Sequence, residues 1–250
     1  MHKLTFFPIG NADCCLVDLA GGPKLLFDYA NCPDTEDASD KRIDLAAVLR
    51  ADLKAARRRD FDVVAFTHAD DDHVRGMSEF FHLDHAAKYQ GEDRIRIGQL
   101  WAPAAVIVEA GLDGDARVLQ AEARYRLKRG TGIRIFSRPD ALKDWCADNG
   151  ISWADRQHLM TDAGQLVPEF VKSTHGVEFF VHSPFAVRLP DGKVVDRNDC
   201  SLVLQATFTL NGRDTRLILS ADTTWENFVP MVNITRAHGR AHRLEWDIFK

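Results

Sequence analysis

The sequence predicts a mixed α+β domain, and three observations carry that prediction. Two hairpin signals, Gly10-Asn-Ala-Asp13 and Asn211-Gly212, each separate a pair of apolar runs. Between these hairpins, apolar residues recur at helical spacing in segments such as 45–56. The run Phe61 to Phe66 has the β-branched and aromatic composition of a strand that is buried on both faces.

The composition is that of an ordinary folded protein. A chain of 250 residues with 45% hydrophobic and 28% charged content can bury about three quarters of its unfolded surface. The net charge of -5 offers no general attraction for nucleic acid, so such a contact would need a local basic strip or bound metal ions. The five cysteines show no C-x-x-C spacing and are odd in number, which favours a reducing compartment. Because 18 uncharged apolar residues nowhere run together, we expect a cytoplasmic chain without a membrane-spanning segment.

The remaining elements can be predicted in chain order. The helix that contains the apolar residues of 45–56 is expected to begin before them, directly after an N-cap formed by Ser39 or Asp40. After His73, apolar residues at helical spacing predict one helix that begins at the preceding turn and directs its first amides toward it. Further strands are expected over 97–101, 133–136, 177–182, 202–210, 215–220 and 244–249, and further helices over 116–129 and 139–148. The segment 155–167 has no clear period.

A cluster of two imidazoles and three carboxylates follows the buried strand directly, in the run His68-Ala-Asp70-Asp71-Asp72-His73. Adjacent aspartates at the end of a buried strand repel one another and lose hydration, and a bound divalent cation removes both costs. Imidazole nitrogen with carboxylate oxygen is the donor set of zinc, manganese or iron sites. Ligands on so tight a turn cannot all converge on one ion, so a pair of neighbouring ions is predicted. The alternative is an exposed acidic loop with two incidental histidines.

This run resembles the HxHxDH signature of the metallo-β-lactamase fold superfamily, in the variant with aspartate at the second histidine position. That variant is similar to the soluble metal-dependent nuclease domain of ComEC-type DNA-uptake proteins. The opening hairpin, followed by a strand that ends in Asp28, resembles the same domain. The resemblance implies an αββα four-layer sandwich of two mixed sheets flanked by helices. Residues 1–250 would form a single domain, with a variable insertion at about 86–176 that partly extends the sheet and partly forms a rim over the site.

The resemblance also implies a ligand set. His68 and Asp70 would hold a first metal, Asp72 and His73 a second, and Asp222 would lie between them. Asp222 ends a Ser-Ala-Asp run that resembles the family's bridging aspartate, and the alternative is an N-cap for the segment at Trp225. Asp72 would also orient the attacking water. The implied cofactors are two divalent ions, zinc or manganese, with iron as an alternative.

Three further residues are candidates for substrate or metal contacts. His182 ends the strand that precedes the family's variable-ligand loop, while Asn198 and Asp199 fall where the resembled domain replaces a third histidine. For the latter two, a strand-initiating turn is the alternative. In the family, the strand over 244–249 leads to a Pro-His-His-Gly turn, whereas the sequence ends at Lys250. We therefore expect either a longer natural protein or a second metal position that is one ligand short.

The function predicted from this resemblance is metal-dependent hydrolysis of a phosphodiester in a nucleic acid or nucleotide, by a metal-activated water. One alternative is a non-catalytic shell that binds a protein partner and holds one metal or none. Another is hydrolysis of the β-lactamase or thioesterase type, which is less favoured because those relatives usually keep histidine where Asp70 stands.

Overall fold

Two β-sheets lie face to face in the computed structural model, which describes residues 1–33, 39–185 and 200–250. The strands are β1 (Lys3–Phe6), β2 (Cys15–Asp18), β3 (Lys24–Phe27), β4 (Asp60–Ala65), β5 (Phe81–His82), β6 (Ile95–Pro103), β7 (Ile133–Phe136), β8 (Met160–Thr161), β9 (Val177–Ser183), β10 (Val203–Leu210), β11 (Arg213–Leu219) and β12 (Ile248–Phe249). The helices are α1 (Leu45–Ala55), α2 (Asp71–Val74), α3 (Met77–Phe80), α4 (Ala104–Val108), α5 (Gly114–Arg129), α6 (Asp140–Asp148), α7 (Lys172–His175) and α8 (Trp225–Ala237). Short 3₁₀ turns lie at Ala87–Tyr89, Gln157–Leu159 and Ala241–Leu244.

Both sheets are mixed. Among the described residues, the first sheet has eight strands in the order β1-β2-β3-β4-β6-β7-β8, with β5 beside β6. Its first three strands pair antiparallel, and the pairs from β3 to β8 are parallel. The second sheet has the order β12-β11-β10-β9, in which only the described β11–β12 pair is parallel. Strands β6 to β8 come from the region predicted as an insertion, and they extend the first sheet.

Three layers of buried apolar side chains separate four layers of secondary structure. Between the sheets, the Trp101 ring lies 5.6 Å from the Phe179 ring and 6.2 Å from the Phe27 ring. On the outer face of the first sheet, leucines of α1 and α5 pack against the strands. On the outer face of the second, Met231 of α8 packs against Val203 and Ile218. Each such fully buried side chain contributes about 1.5–3 kcal/mol. The predicted αββα arrangement of two mixed sheets is confirmed.

Parallel pairing of β3 with β4 brings two chain exits to one edge of the sandwich. Phe27 lies opposite Ala65, so the residues that follow each strand leave the sheet side by side. The second sheet joins the same edge through Leu202, whose N–H donates to the Thr67 carbonyl at 2.9 Å. These contacts bring the residues that follow β3, β4 and β11 together at this edge of the sandwich.

Helix α1 begins later than the sequence indicated. Its N-cap is Asp44, whose side chain accepts a hydrogen bond from the N–H of Ala47 at 3.0 Å. The expected cap at Ser39 or Asp40 is wrong because the Asp40 carboxylate instead pairs with Arg42 at 2.9 Å. The start of the helix is therefore set by Asp44 together with Asn31, whose Oδ1 accepts the N–H of Leu45 at 2.9 Å.

The single helix expected after His73 is also wrong, since the chain forms two short helices, α2 and α3. Gly76 lies between them with φ +81, a left-handed conformation that glycine adopts without steric cost. The N–H groups of Gly76 and Ser78 donate to the Asp115 carboxylate of α5 at 2.6 and 3.2 Å. A carboxylate from a distant helix thus caps the start of α3 and fixes the break.

The last strand and the lengths of the helices complete the description of the fold. The last predicted strand is shorter than expected, because residues 241–244 form a 3₁₀ turn and only Ile248–Phe249 pair with β11. Within the described ranges, none of the helices combines the length and the apolar composition needed to cross a lipid bilayer.

Candidate metal centre

Three side chains from two sheets converge at the shared edge. One potential ligand atom from each of His68, His73 and Asp222 lies within 4.8 Å of the others. The His68 and His73 rings are 3.9 Å apart between centroids, and His73 Nε2 lies 3.4 Å from Asp222 Oδ1. Both histidines are buried, whereas the Asp222 side chain is 46% exposed. The group is therefore open to solvent on its carboxylate side.

The tautomer of His68 follows from the hydrogen bonds of Thr67. The Thr67 hydroxyl donates its single hydrogen to Asp28 Oδ2 at 2.7 Å. His68 Nδ1 lies 3.1 Å from that hydroxyl oxygen, so this nitrogen must be the donor. In the neutral ring the proton is then on Nδ1, and Nε2 carries a free lone pair.

Asp28 fixes the second histidine in the same way. Its Oδ2 lies 3.0 Å from His73 Nδ1, and as a carboxylate it can only accept, so Nδ1 of His73 donates. Asp28 Oδ1 also accepts the backbone N–H of Thr67 at 2.7 Å. One carboxylate, 1% exposed, thus orients both imidazoles. This arrangement matches the way that carboxylates orient metal-binding histidines in metalloproteins.

The remaining ring nitrogens are the most informative atoms of the site. Nε2 of His68 and Nε2 of His73 are buried, and neither has a hydrogen-bond partner among the described residues. Buried polar atoms are almost always satisfied, since leaving one unpaired costs about 1–3 kcal/mol. A cation that accepts both lone pairs and the Asp222 carboxylate removes this cost, so the residues fit a divalent metal.

The electrostatics of the group favour a positive charge. Burial opposes protonation of His73, but Asp28 and Asp222 outweigh it and raise the pKa of His73 to about 10. Burial, together with the neighbouring His73, lowers the pKa of His68. His73 in turn lowers the pKa of Asp222, although burial opposes the shift. The two carboxylates therefore provide a negative potential in which a metal ion can replace the proton.

Backbone strain accompanies this arrangement. Asp28 has φ +57 and Ala221, which precedes Asp222, has φ +48. A left-handed conformation costs a residue with a side chain roughly 1–2 kcal/mol. The Asp28 N–H donates to the Ala65 carbonyl at 2.7 Å, so the strained turn is held to β4. Strain of this kind collects at functional sites.

A second group of potential ligands consists of Asp13, Asp28 and His73. These atoms already have partners, because Asp28 bonds His73 and the Asp13 carboxylate forms an ion pair with Lys250 Nζ. Two hydrogen bonds from Ser220 position the Lys250 backbone: its carbonyl oxygen accepts from Ser220 N and from Ser220 Oγ, each at 2.7 Å. The ion pair with Asp13 places the ammonium group of Lys250 at this second group, which shares His73 with the first.

Some of the predicted site residues lie together in the structure and others do not. It brings together His68, His73 and Asp222, and it places Asp70 Oδ2 at 3.6 Å from His68 Nε2. Asp72 contributes its carbonyl to the N–H of Asp13 at 3.1 Å, but its side chain belongs to neither ligand group. Its predicted roles as ligand and catalytic residue stay predictions.

His182 lies near the end of β9, as predicted, but outside both groups of potential ligands. It points to the face of β9 opposite Val181, which packs between the sheets, so it lies on the outer face of the second sheet. Its Nε2 donates to the Arg243 carbonyl at 2.9 Å, and burial lowers its pKa to about 4. Its Nδ1 is buried without a hydrogen-bond partner among the described residues, but His182 belongs to neither ligand group, so no second and third ligand converge on that nitrogen. Asn198 and Asp199 lie outside the described residues.

Sequence reasoning missed the contributions of Asp28, Asp13 and Lys250 to the site. The first two served only as markers of the family resemblance. For Asp28 a signal exists: β3 ends in an aspartate, and the next parallel strand ends in Thr67-His68. Residues after neighbouring parallel strands meet at one sheet edge, so the pairing could have been anticipated.

Comparison with known proteins gives only a weak likeness. No family model and no curated protein matches the chain. Among solved structures, it is similar to the class B3 di-zinc metallo-β-lactamase LRA-12 from an Alaskan soil metagenome, with 12% identity, a TM-score of 0.41 and coverage of 99% of this chain and 74% of that one. BJP-1 of Bradyrhizobium japonicum, a subclass B3 metallo-β-lactamase, is 13% identical with a TM-score of 0.41, and the match covers 100% of this chain and 74% of that one. The metallo-β-lactamase FEZ-1 of Legionella gormanii is 11% identical with a TM-score of 0.40, and the match covers 94% of this chain and 72% of that one. A likeness this weak transfers no residue roles, so function must be argued from the site.

Proposed function

We propose that this protein is a metal-dependent hydrolase whose divalent cation is held by His68, His73 and Asp222. The observation that carries the proposal is the pair of buried Nε2 atoms without a hydrogen-bond partner in the described part of the chain, beside a carboxylate. Two imidazoles and one carboxylate form a three-ligand set that leaves a position for water, as in catalytic zinc sites. Zinc is the first choice, and manganese or iron also suits these donors.

The bound metal would supply an activated water, whose pKa falls to about 7 on a catalytic zinc. The protein supplies orientation. Asp28 keeps both histidines in the tautomer that presents Nε2, and the exposed side of Asp222 leaves room for a substrate. Asp70, 3.6 Å from His68, is a candidate for hydrogen bonding to the water. A second divalent ion, with Asp72 among its ligands, remains part of the proposal.

The substrate class we favour is a phosphodiester of a nucleic acid or nucleotide. Lys250 supports an anionic substrate, because its ammonium group lies at Asp13, next to the metal group, and would exchange that carboxylate for a substrate anion. Burial lowers the pKa of Lys250 to about 8, so the ammonium form prevails at neutral pH. An ammonium group is a common partner for phosphate oxygens. A β-lactam also carries a negative charge, so hydrolysis of such an amide is the second candidate. A neutral thioester would not use this lysine.

Metal analysis of the purified protein tests the proposal. The wild type should contain at least one equivalent of divalent metal and hydrolyse bis-p-nitrophenyl phosphate. His68→Ala should lose both properties, because it removes one of the two free Nε2 atoms. His238→Ala is the matched control, since His238 is exposed and belongs to neither ligand group.

Two outcomes would redirect the proposal. A wild-type protein that takes up no metal, even after incubation with zinc or manganese, would contradict it. A protein that binds metal through His68 but hydrolyses neither a phosphodiester nor a β-lactam would support the non-catalytic alternative, in which the shell binds a protein partner.

A further inference from the structure

A second concave site lies away from the metal centre. A cavity of about 640 Å³ opens between the β7–β8 edge of the first sheet and the 3₁₀ turn at Ala241–Leu244. None of the residues that line it belongs to either metal-ligand group. Part of its wall comes from residues 157–168, where the sequence showed no clear period. The cavity therefore needs an explanation of its own.

The lining is rich in basic side chains. Among the described residues it contains three arginines and two histidines but no aspartate or glutamate; these are Arg134, Arg240, Arg243, His158 and His242. The whole chain has the opposite balance, with 37 acidic and 32 basic residues. The cavity therefore has an excess of basic side chains in a protein whose net charge is negative, and this favours an anionic ligand.

Two of these arginines have carboxylate partners outside the lining. Arg134 pairs with Glu169, and Arg243 pairs with Glu178 at 2.7 Å. Arg240 has no carboxylate partner in the described part of the chain, and its Nη1 donates to the Gly164 carbonyl instead. The three arginines of the lining and the two glutamates that pair with them leave one uncompensated positive charge, which is centred on Arg240.

The geometry holds two guanidinium groups together. The central carbons of Arg240 and Arg243 lie 5.7 and 5.1 Å from the centroid of the same Phe180 ring. The ring is buried, so it serves as a fixed platform for both groups. Both arginines also line the cavity, so an anion bound there would offset the repulsion between their charges. Planar guanidinium groups also suit bidentate contact with phosphate oxygens.

The size and the apolar wall indicate more than a bare anion. Met160, Leu166 and Pro168 line the cavity together with the cationic residues. Its volume lies within the roughly 300–1,000 Å³ typical of small-molecule sites. We propose that this cavity binds a phosphorylated small molecule of nucleotide size, with the phosphate on Arg240 and Arg243 and the organic part against the apolar wall. The proposal does not depend on the metal-dependent activity.

Isothermal titration calorimetry with the full chain tests this site. AMP, adenosine and inorganic phosphate would be titrated separately, in the presence of a chelator so that no metal can bridge the phosphate. Arg240→Gln removes the uncompensated charge and, because Arg240 is exposed, should leave the fold intact. Arg236→Gln is the matched control, as Arg236 is an exposed arginine of α8 that does not line the cavity.

We expect AMP to bind about tenfold more tightly than either adenosine or inorganic phosphate. Arg240→Gln should weaken AMP binding by about tenfold, as expected for a charge-assisted contact, while the control changes it by less than about twofold. Undetectable AMP binding, equal binding of AMP and adenosine, or equal loss in the two variants would overturn the site. Equal affinity for AMP and inorganic phosphate would overturn the assignment to a ligand of nucleotide size.

Discussion

His68 and His182 are equally buried histidines near the ends of strands, yet their surroundings give them different chemistry. They are 2% and 3% exposed. His68 follows β4 at the edge where Asp28, Asp70 and Asp222 approach, and its Nε2 is unpaired within the described residues. His182 faces the 3₁₀ turn and donates Nε2 to a backbone carbonyl; its Nδ1 is also unpaired within the described residues, but it belongs to no group of potential metal ligands. Burial alone therefore does not make a metal ligand. Nor does an unpaired ring nitrogen, which both histidines have; the carboxylates that converge with the ring decide the role.

The largest effect should come from Asp28→Asn, which removes a carboxylate that is present near His68 and has no counterpart near His182 among the described residues. An amide cannot accept from Thr67 N, Thr67 Oγ and His73 Nδ1 together, so both rings lose their fixed tautomer. We expect metal affinity to fall by about 10–100-fold and the free energy of unfolding by about 3 kcal/mol. Competitive metal titration and urea unfolding measure these quantities. Asp144→Asn, an exposed position on α6, is the control. Unchanged metal affinity in Asp28→Asn would show that Asp28 does not orient the ligands.

The acid stability of the protein should depend on His182. The pKa of His182 is about 4 in the folded chain and about 6.5 when unfolded, so the unfolded state binds more protons between these values. The free energy of unfolding should therefore fall by about 3 kcal/mol as pH decreases from 6.5 to 4. Gln at this position keeps a donor for the Arg243 carbonyl without titrating. If His182→Gln loses stability as steeply as the wild type over this range, another group is responsible.

The comparison also predicts opposite phenotypes for two alanine variants. His182→Ala leaves the Arg243 carbonyl without its donor and opens a small cavity, so it should destabilise the fold by about 2 kcal/mol. It should keep the metal content of the wild type. His68→Ala should lose metal yet remain folded. Metal analysis and thermal unfolding of both variants would decide the matter, and loss of metal in His182→Ala would place that histidine in the centre after all.

The smallest effect concerns the strain before Asp222. Glycine adopts the left-handed conformation of Ala221 without steric cost but loses more backbone entropy on folding. Ala221→Gly should therefore stabilise the protein by about 0.5 kcal/mol and leave metal affinity unchanged. Chemical denaturation at neutral pH measures this difference. Destabilisation would mean that the turn is not strained.

The parts of the molecule that could be predicted from sequence are those encoded locally. The strand of β4 and the cluster at His68 to His73 are contiguous, and Asp222 follows directly on a recognisable strand, so each could be identified from its neighbours. The resemblance of these motifs to a known family supplied the layer order. The helix α5 with Gly130 as its stop was equally local.

The parts that could not be predicted depend on contacts between distant residues. Asp28 and His73 are 45 positions apart, and Asp13 and Lys250 are 237 positions apart. The break at Gly76 depends on Asp115, 39 positions away. His182 had the right residue type at a strand end, but the face of the sheet that it occupies depends on the pairing of β9 with β10. Such features become visible only when the two sheets are assembled.

X-ray absorption spectroscopy at the metal edge of the zinc-loaded protein tests the central claim most directly. We predict two imidazole nitrogens at about 2.0–2.1 Å and one carboxylate oxygen at about 2.0–2.2 Å, together with a water oxygen. In His68→Ala, which should lose the bound metal, this nitrogen-containing shell should be absent. A spectrum with oxygen neighbours alone, unchanged by that substitution, would contradict the account, because the metal would then lie away from the two free Nε2 atoms.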